Sequence, residues 1–433
     1  MKFLKLTADN RNDKTPDGRF SRSMDGPHHT VLLNVLSSEN DISLSGSGLK
    51  VNAGIQSNLR LEDEGGGKIS LNMLLSTFLW RVLWTKKINA ATELMLSNNS
   101  QFENNTNFGS RIIIPDANMM ETGFAAFLRT KKEKLIFEYG AGISLRNIHT
   151  KLTAGVNTPG KAIPPFNKTL PGLNGSVGFS WNPDDQWNLK TNVSSGFRSG
   201  NLAELSADGL HEGTLRYEVG DADLKVEQNL NSEMSVSYTG PAVQFSVSGY
   251  VNHFVNYIYL APSGIQYLGF DVFNYKQYDA NLYGSEIMFG LRFPFYKKLK
   301  WQSDVSIVKG KLQGGNYLPF IPPVKLANEI RLQCHDGKKI KNLFVFIQAE
   351  NHFAQRHPAE FETPTAGYWL LNAGLSGNWQ TKTRSVTLSI TGNNLLNTNY
   401  YDHLSRFKEF GIHNIGRNIV LHMNIPLITH SKK

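Results

Sequence analysis

The chain has 433 residues, 40% hydrophobic and 11% aromatic, with 25 Phe, 15 Tyr, a single Cys and a formal net charge of +9. That length allows two or three soluble domains or one very large β-structure, while the absence of any apolar run of about eighteen residues excludes a transmembrane helix and the lone Cys334 excludes an internal disulfide. A membrane β-barrel stays open, because only every second strand residue faces lipid and the mean hydropathy then resembles that of a soluble protein.

The opening stretch, MKFLKLTADNRNDKTPDGRF, has no apolar core or small-residue cleavage site of a secretory signal. Residues 1–26 are polar and unpatterned and are expected to be the remainder of a loop. His28 and His29 have no further ligand at metal spacing, and Gly65 to Gly67 lack the spacing and strand-to-helix context of a phosphate-binding loop. The Asn-rich LSNNSQFENNTN reads as loop.

Farther along, period two dominates. VQFSVSGYV sets Val243, Phe245, Val247 and Val251 on one face and Gln244, Ser246, Ser248 and Asn252 on the other. In SVTLSITGN, Val386, Leu388 and Ile390 alternate with Ser and Thr, and in NIVLHMNI the residues Ile419, Leu421, Met423 and Ile425 alternate with Val420, His422 and Asn424. About seventeen such segments are counted, several reaching the nine to eleven residues that a tilted membrane strand requires. Short connections near Lys131, at Pro183 to Asp185, at Gly240 and Pro241, at His335 to Lys339 and at Gln380 to Thr383 alternate with long ones. The long ones are expected at 97–120, 149–171, 198–229, 260–277, 312–322, 355–366 and 396–416. An outer-membrane barrel has this parity, with short periplasmic turns and long extracellular loops.

Basic residues gather in RTKKEK, FYKKLKW, DGKKIKN and WQTKTRS, each between two alternating segments. That places the positive charge on hairpin turns and not along one groove, and no nucleic-acid motif accompanies it. Ser-x-x-Glu and His-Glu pairs occur without a nucleophile elbow, so nothing points to an enzyme, and no cofactor is implied.

Four stretches carry a resemblance to a known family. GFRSGNLAELSADGLHEGTLRYEVGDADLKVEQNLNSEMSV resembles the mid-barrel signature of TonB-dependent outer-membrane receptors, a Gly-Phe-Arg-x-x-Asn-x-x-Glu-Leu opening followed by Leu-Lys-x-Glu at the start of the next strand. YKQYDANLYGSEI (Tyr275 to Ile287), YLPFIPPVKL (Tyr317 to Leu326) and NNLLNTNYYDHLSRFKEFGIHNIGRNIVLHMNI (Asn393 to Ile425) are similar to later landmarks of the same family, in the same order.

The resemblance covers residues 27–427, with a polar tail at 428–433. It implies an all-β, antiparallel transmembrane barrel, here about 17 strands of a family barrel of 22, normally closed by an N-terminal plug. The plug, its TonB-contacting segment, the signal peptide and about five strands are expected to be missing from this chain, which would leave two unpaired sheet edges. The function so implied is TonB-dependent uptake across the cell outer membrane of a scarce nutrient such as an iron-siderophore or other metal chelate. Siderophore or similar small ligand, TonB, the plug and outer-membrane lipid would then be the partners, and nucleic acid would not. A passive outer-membrane pore and a non-functional truncated fragment are the alternatives.

His211 and Glu212 in GLHEGT, together with Tyr401 and His403 in YYDHLSR, are the candidate ligand-binding residues. They place imidazole, carboxylate and phenol groups in long loops, where a metal chelate could be met. Tyr400, Tyr257 and Tyr259 are expected to contribute to an aromatic girdle. No catalytic residue and no resident metal site are expected.

Overall fold

The computed structural model describes residues 28–63, 67–154, 162–211, 216–296, 298–334, 337–381 and 384–426. The residues before 28 and after 426, which include the polar ends, lie outside it.

The first strands are β1 (His28–Leu44), β2 (Ser47–Asp63), β3 (Ile69–Lys87), β4 (Thr92–Asn107), β5 (Ala117–Lys132) and β6 (Leu135–Thr150). A small hairpin, β7 (Thr153–Ala154) with β8 (Ala162–Ile163), precedes β9 (Asn167–Trp181) and β10 (Trp187–Arg198). A helical turn α1 (Leu202–Ser206) and the short ribbon β11 (Asp208–His211) and β12 (Arg216–Val219) follow. The sheet resumes with β13 (Glu227–Thr239), β14 (Val243–Tyr267), β15 (Phe270–Arg292), β16 (Leu299–Leu312), β17 (Lys325–Gln333) and β18 (Ile340–His352). It ends with β19 (Tyr368–Gln380), β20 (Ser385–Asn393) and β21 (Asn418–Asn424). With the short β7, β8, β11 and β12 set aside, seventeen long strands remain among the described residues, as the periodicity anticipates. Each pairs antiparallel with the next long strand along the chain.

Pairing puts the period-two pattern to work. Leu36, Ile55, Phe78, Phe102 and Met120 stand in register across five strands and are all exposed. On the far side of the sheet the same outward row runs through Val236, Val247 and Ile287, and then through Leu375, Ile390 and Leu421. These side chains form the apolar band that lipid solvates. Inward faces carry polar pairs such as Arg146 with Glu121 at 3.4 Å.

Two expected loops are strands. The Asn-rich stretch from Leu96 to Asn107 lies within β4, and its amides are satisfied sideways: Trp80 Nε1 donates to Asn98 Oδ1 at 3.0 Å, Asn98 donates to the Gly123 carbonyl at 3.0 Å, and Asn104 donates to Asn118 at 2.7 Å. The Asn-rich stretch, read as loop, is thus held as a strand by cross-strand bonds. Residues 260–277 form the distal part of the β14–β15 hairpin, whose arms of 25 and 23 residues meet at Leu268 and Gly269, both in left-handed conformation. Strands this long rise well past the nine to eleven residues that cross a bilayer, so the hairpin continues beyond the membrane at its loop end.

Among the described residues β1 has a ladder partner only in β2, and β21 only in β20. Val31, Leu32 and Leu33 are all exposed, although successive strand residues point to opposite faces.

Candidate functional site

The connection between β10 and β13 returns into the mouth of the barrel, and its sequence explains how. Arg198 closes β10 and donates from Nη1 to both oxygens of Glu204, at 2.8 and 2.7 Å, and from Nη2 to Glu227 at 3.1 Å. Glu227 also accepts the Ile258 backbone N–H at 2.8 Å. Asn201 caps α1 by accepting the Glu204 N–H at 2.9 Å, while Glu204 accepts the Asn201 N–H at 2.8 Å, a reciprocal capping box. Helix start, strand end and strand start are therefore tied to one guanidinium.

Apolar residues then seat the loop. Leu202, Leu205 and Leu224 pack with Ala117, Met119, Ile148, Leu170 and Ile258 in a cluster inside the barrel. Phe197 lies so close to Gly172 that a Cβ there would stand 2.2 Å from its ring, and Gly196 donates to Asn229 at 2.8 Å. Phe197, Arg198, Asn201, Glu204, Leu205, Leu224 and Glu227 of the GFR…NLAEL…LKVE stretch each make a side-chain contact of this kind.

The last long connection is built the same way. Asn394 and Asn397 take left-handed backbone conformations, at φ of 47° and 54°. Asn394 donates to the Thr398 carbonyl and accepts the Thr398 N–H, and Asn397 accepts the Arg417 N–H at 3.0 Å. A Cβ at Gly416 would meet the Asn397 side chain at 2.8 Å. Asn accepts αL more readily than most residues, which gives the Asn-Leu-x-Asn and Gly-Arg-Asn elements their physical reason.

Between these two connections lies a cavity of about 660 Å³. Its wall combines Arg60 on β2, Leu71 and Met73 on β3, and Ile113 and Ile114 of the β4–β5 loop. Arg216 and Glu218 on β12, Tyr275 on β15 and Phe320, Phe361, Glu362 and residues 403–406 and 408–410 from later loops also line it. Arg216 is the most prominent cation: its guanidinium sits 4.7 Å from the Phe273 ring centroid and 6.0 Å from that of Phe361, and it lies 3.8 Å from a Glu409 oxygen. Tyr275 donates to Glu218 at 3.2 Å, and burial followed by that carboxylate pushes its phenol well above the usual range, so it stays neutral. Aromatic rings beside guanidinium and ammonium groups suit an anionic or π-rich ligand.

His403 lines this cavity, with its imidazole 1% exposed. Its Nδ1 lies 2.8 Å from Thr365 Oγ1 and 3.5 Å from Lys408 Nζ, while Nε2 is buried without a hydrogen bond, 3.8 Å from Glu362. Burial lowers its pKa, opposed by Glu362 and assisted by Lys408, and burial also lowers that of Lys408. His403 therefore joins the loop before β19 to the loop before β21.

Tyr401, in the same loop, turns away to stack on His413 at 4.3 Å and to donate to the Gly411 carbonyl. His211 occupies the end of β11, paired with Arg216, and its side chain and all of Glu212 lie outside the described residues. Tyr257 and Tyr259 stack on one another at the loop end of β14, and Tyr400 packs on Tyr368 at 4.4 Å. Arg216, Phe361 and Tyr275 were not legible as site residues, because three separate connections bring them together. Among the described residues no group of three or more His, Cys, Asp or Glu could hold a metal ion.

A sheet whose long strands all pair antiparallel, with lipid-type outer rows, short turns at one end and folded loops at the other, defines an outer-membrane β-barrel. The family description TonB dependent receptor-like, beta-barrel matches residues 80–395, and the chain belongs to that family. It is 27% identical over 146 residues to an iron-regulated outer membrane virulence protein of Vibrio cholerae, a match covering 32% of this chain and 22% of that protein. Among solved structures it is similar to the copper transporter OprC, with TM-score 0.73, 15% identity, and coverage of 91% of this chain and 66% of that one. A FrpB iron transporter of Neisseria meningitidis gives TM-score 0.70 and 15% identity, covering 92% and 64%. The ferric citrate transporter FecA gives 0.61 and 13%, covering 92% and 61%. The chain thus spans just under two thirds of the structures it resembles and about a fifth of the sequence relative.

Proposed function

We propose that this chain forms the barrel portion of an outer-membrane receptor for TonB-dependent uptake of a scarce nutrient, and that its cargo is a metal chelate, such as an iron-siderophore complex, received in the loop-end cavity. The observation that carries this reading is the cavity wall, where Arg216 lies over the edge-packed Phe273 and Phe361 pair and the loop carrying His403 and Lys408 faces it. A chelate of iron held by carboxylate or catecholate oxygens is anionic and, in the second case, aromatic, and that surface complements both properties. The names of the similar proteins, transporters of iron, copper and ferric citrate, support the same class of cargo.

A passive pore is less well supported, because the β10–β13 connection is packed into the barrel by an apolar cluster and an ion-paired arginine. Energy coupling through TonB would act on a plug supplied with the barrel, and cargo release requires that the rearranged state bind it more weakly. The test is equilibrium titration of the purified chain, in detergent, with ferric citrate and with a ferric tris-catecholate, followed by intrinsic fluorescence. Saturable quenching by one of them is expected. Failure of both, and of the corresponding copper chelates, would set the reading aside.

A further inference from the structure

Both ends of this barrel hold ion-paired cations: Arg198 with Glu204 and Glu227, Arg60 and Arg111 with Glu62, and Lys325 with Glu350 at the loop end, and Lys50 with Asp41, Arg129 with Glu138 and Arg331 with Glu329 at the short-turn end. At the short-turn end Lys86 and Lys87, Lys131 and Lys132, and Lys338 and Lys339 are exposed and make no ion pair among the described residues. The described basic residues of the RTKKEK, FYKKLKW, DGKKIKN and WQTKTRS stretches fall on or beside short turns, on several sides of the barrel.

A second observation fixes the depth of this collar. Trp84, Trp301 and Trp379 lie near the strand ends beside basic short turns, while Trp181 and Trp187 flank the short turn that carries Asp184 and Asp185, and Trp181, Trp187 and Trp379 are exposed. Trp187 packs with Tyr238 at 5.0 Å and Phe245 at 5.6 Å, and Phe289 packs with Trp301 at 5.6 Å. Such a belt marks the boundary of the hydrocarbon. Lys86 follows Trp84 by two residues on the same outward face, which at about 3.3 Å per residue and a strand tilt of about 45° moves it roughly 5 Å farther along the membrane normal. That depth is the headgroup layer, which extends about 5 to 7 Å beyond the hydrocarbon on each side.

We infer that this collar is a docking surface for anionic phospholipid headgroups of the periplasmic leaflet, since short turns face the periplasm in this class of barrel. Unpaired ammonium groups in that layer attract lipid phosphate and glycerol-phosphate charge, and each contributes about a fivefold preference at physiological ionic strength. The outward Lys86 and Lys132 meet lipids beside the wall, and the turn-tip lysines meet them from below. This inference rests on the barrel lying in a membrane and is independent of the cargo.

The belt tryptophans report the lipid beside them. In vesicles of phosphatidylcholine containing a minor fraction of brominated phosphatidylglycerol, quenching of tryptophan fluorescence is expected to exceed that by an equal fraction of brominated phosphatidylcholine, corresponding to about a fivefold or greater enrichment. The enrichment should fall toward unity in the variant Lys86→Gln/Lys132→Gln/Lys339→Gln and in about 0.5 M salt. A barrel-shaped circular dichroism spectrum of the variant shows that it has folded. Equal quenching by the two lipids, or an enrichment that the variant and salt leave unchanged, would overturn the inference. So would retention by the collar of an acidic peptide without any lipid preference, which would assign the charge to a protein partner.

Discussion

The Arg198 guanidinium contacts Glu204 and Glu227 together, across 6 and 29 residues of chain, and so fixes both ends of the longest inward connection to a single point. Removing Glu227 leaves Arg198 half satisfied and frees the Ile258 N–H. Because Arg198 is 41% exposed, the loss is expected to be about 1–2 kcal/mol, less than for a fully buried pair. For Glu227→Ala, amide exchange across residues 199–226 should quicken by about tenfold, with strands β2 to β5 unchanged. Uniform acceleration over the whole barrel would contradict a local anchor.

Asn201→Ala removes the side-chain acceptor of the Glu204 N–H and leaves in place the bond from the Asn201 N–H to the Glu204 carboxylate. A loss of about 1 kcal/mol is expected, read as roughly fivefold faster exchange at the first helical amides. Asn201→Asp, which keeps the acceptor, should restore most of it.

Gly284 in the YGSE stretch has the Ile307 carbonyl 2.6 Å from where a Cβ would stand. Gly284→Val should therefore strain the β15–β16 ladder by about 1–3 kcal/mol and lower the temperature at which the purified barrel loses its heat-resistant electrophoretic mobility. Unchanged mobility across the heating series would show that the ladder accommodates the side chain.

His403 is neutral in the folded loop, because burial and Lys408 hold its pKa below the ordinary 6.5 against the pull of Glu362 and Asp402. The unfolded loop binds a proton more readily, so the His403 contribution is complete above about pH 6.5 and is lost as pH falls from there toward the lowered folded value. Exchange at residues 394–417, corrected for the intrinsic rate, should be faster at pH 5.5 than at pH 7.5. In His403→Gln that difference should disappear.

How much of this was legible in the sequence follows from side-chain chemistry. Val243 to Val251 and Ile419 to Met423 alternate because one face meets lipid, and the strand pattern appears directly. Asn98, Ser100 and Asn104 do not show it, since their hydrogen bonds run to neighbouring strands that are remote in sequence. Pro262 and Gly264 resemble loop residues, yet they sit in a bulge near the tip of a hairpin that extends past the membrane. At the site, His403 was singled out and lies in the cavity wall, but Arg216 carries no local motif. Its position depends on the parallel pairing of β12 with β15, which places it opposite Asp271 and near Phe273.

The central claim is that the loop-end cavity is where a metal chelate is received. The measurement that tests it most directly is the binding isotherm of the ferric chelate that quenches the wild-type protein, repeated on Arg216→Ala/Phe361→Ala. Loss of a cation and its aromatic partner from a partly desolvated site corresponds to about 1.5–3 kcal/mol, so the account predicts affinity weakened by about tenfold or more, with the barrel intact by circular dichroism. Binding of equal strength in the variant would contradict it and place the ligand elsewhere on the barrel.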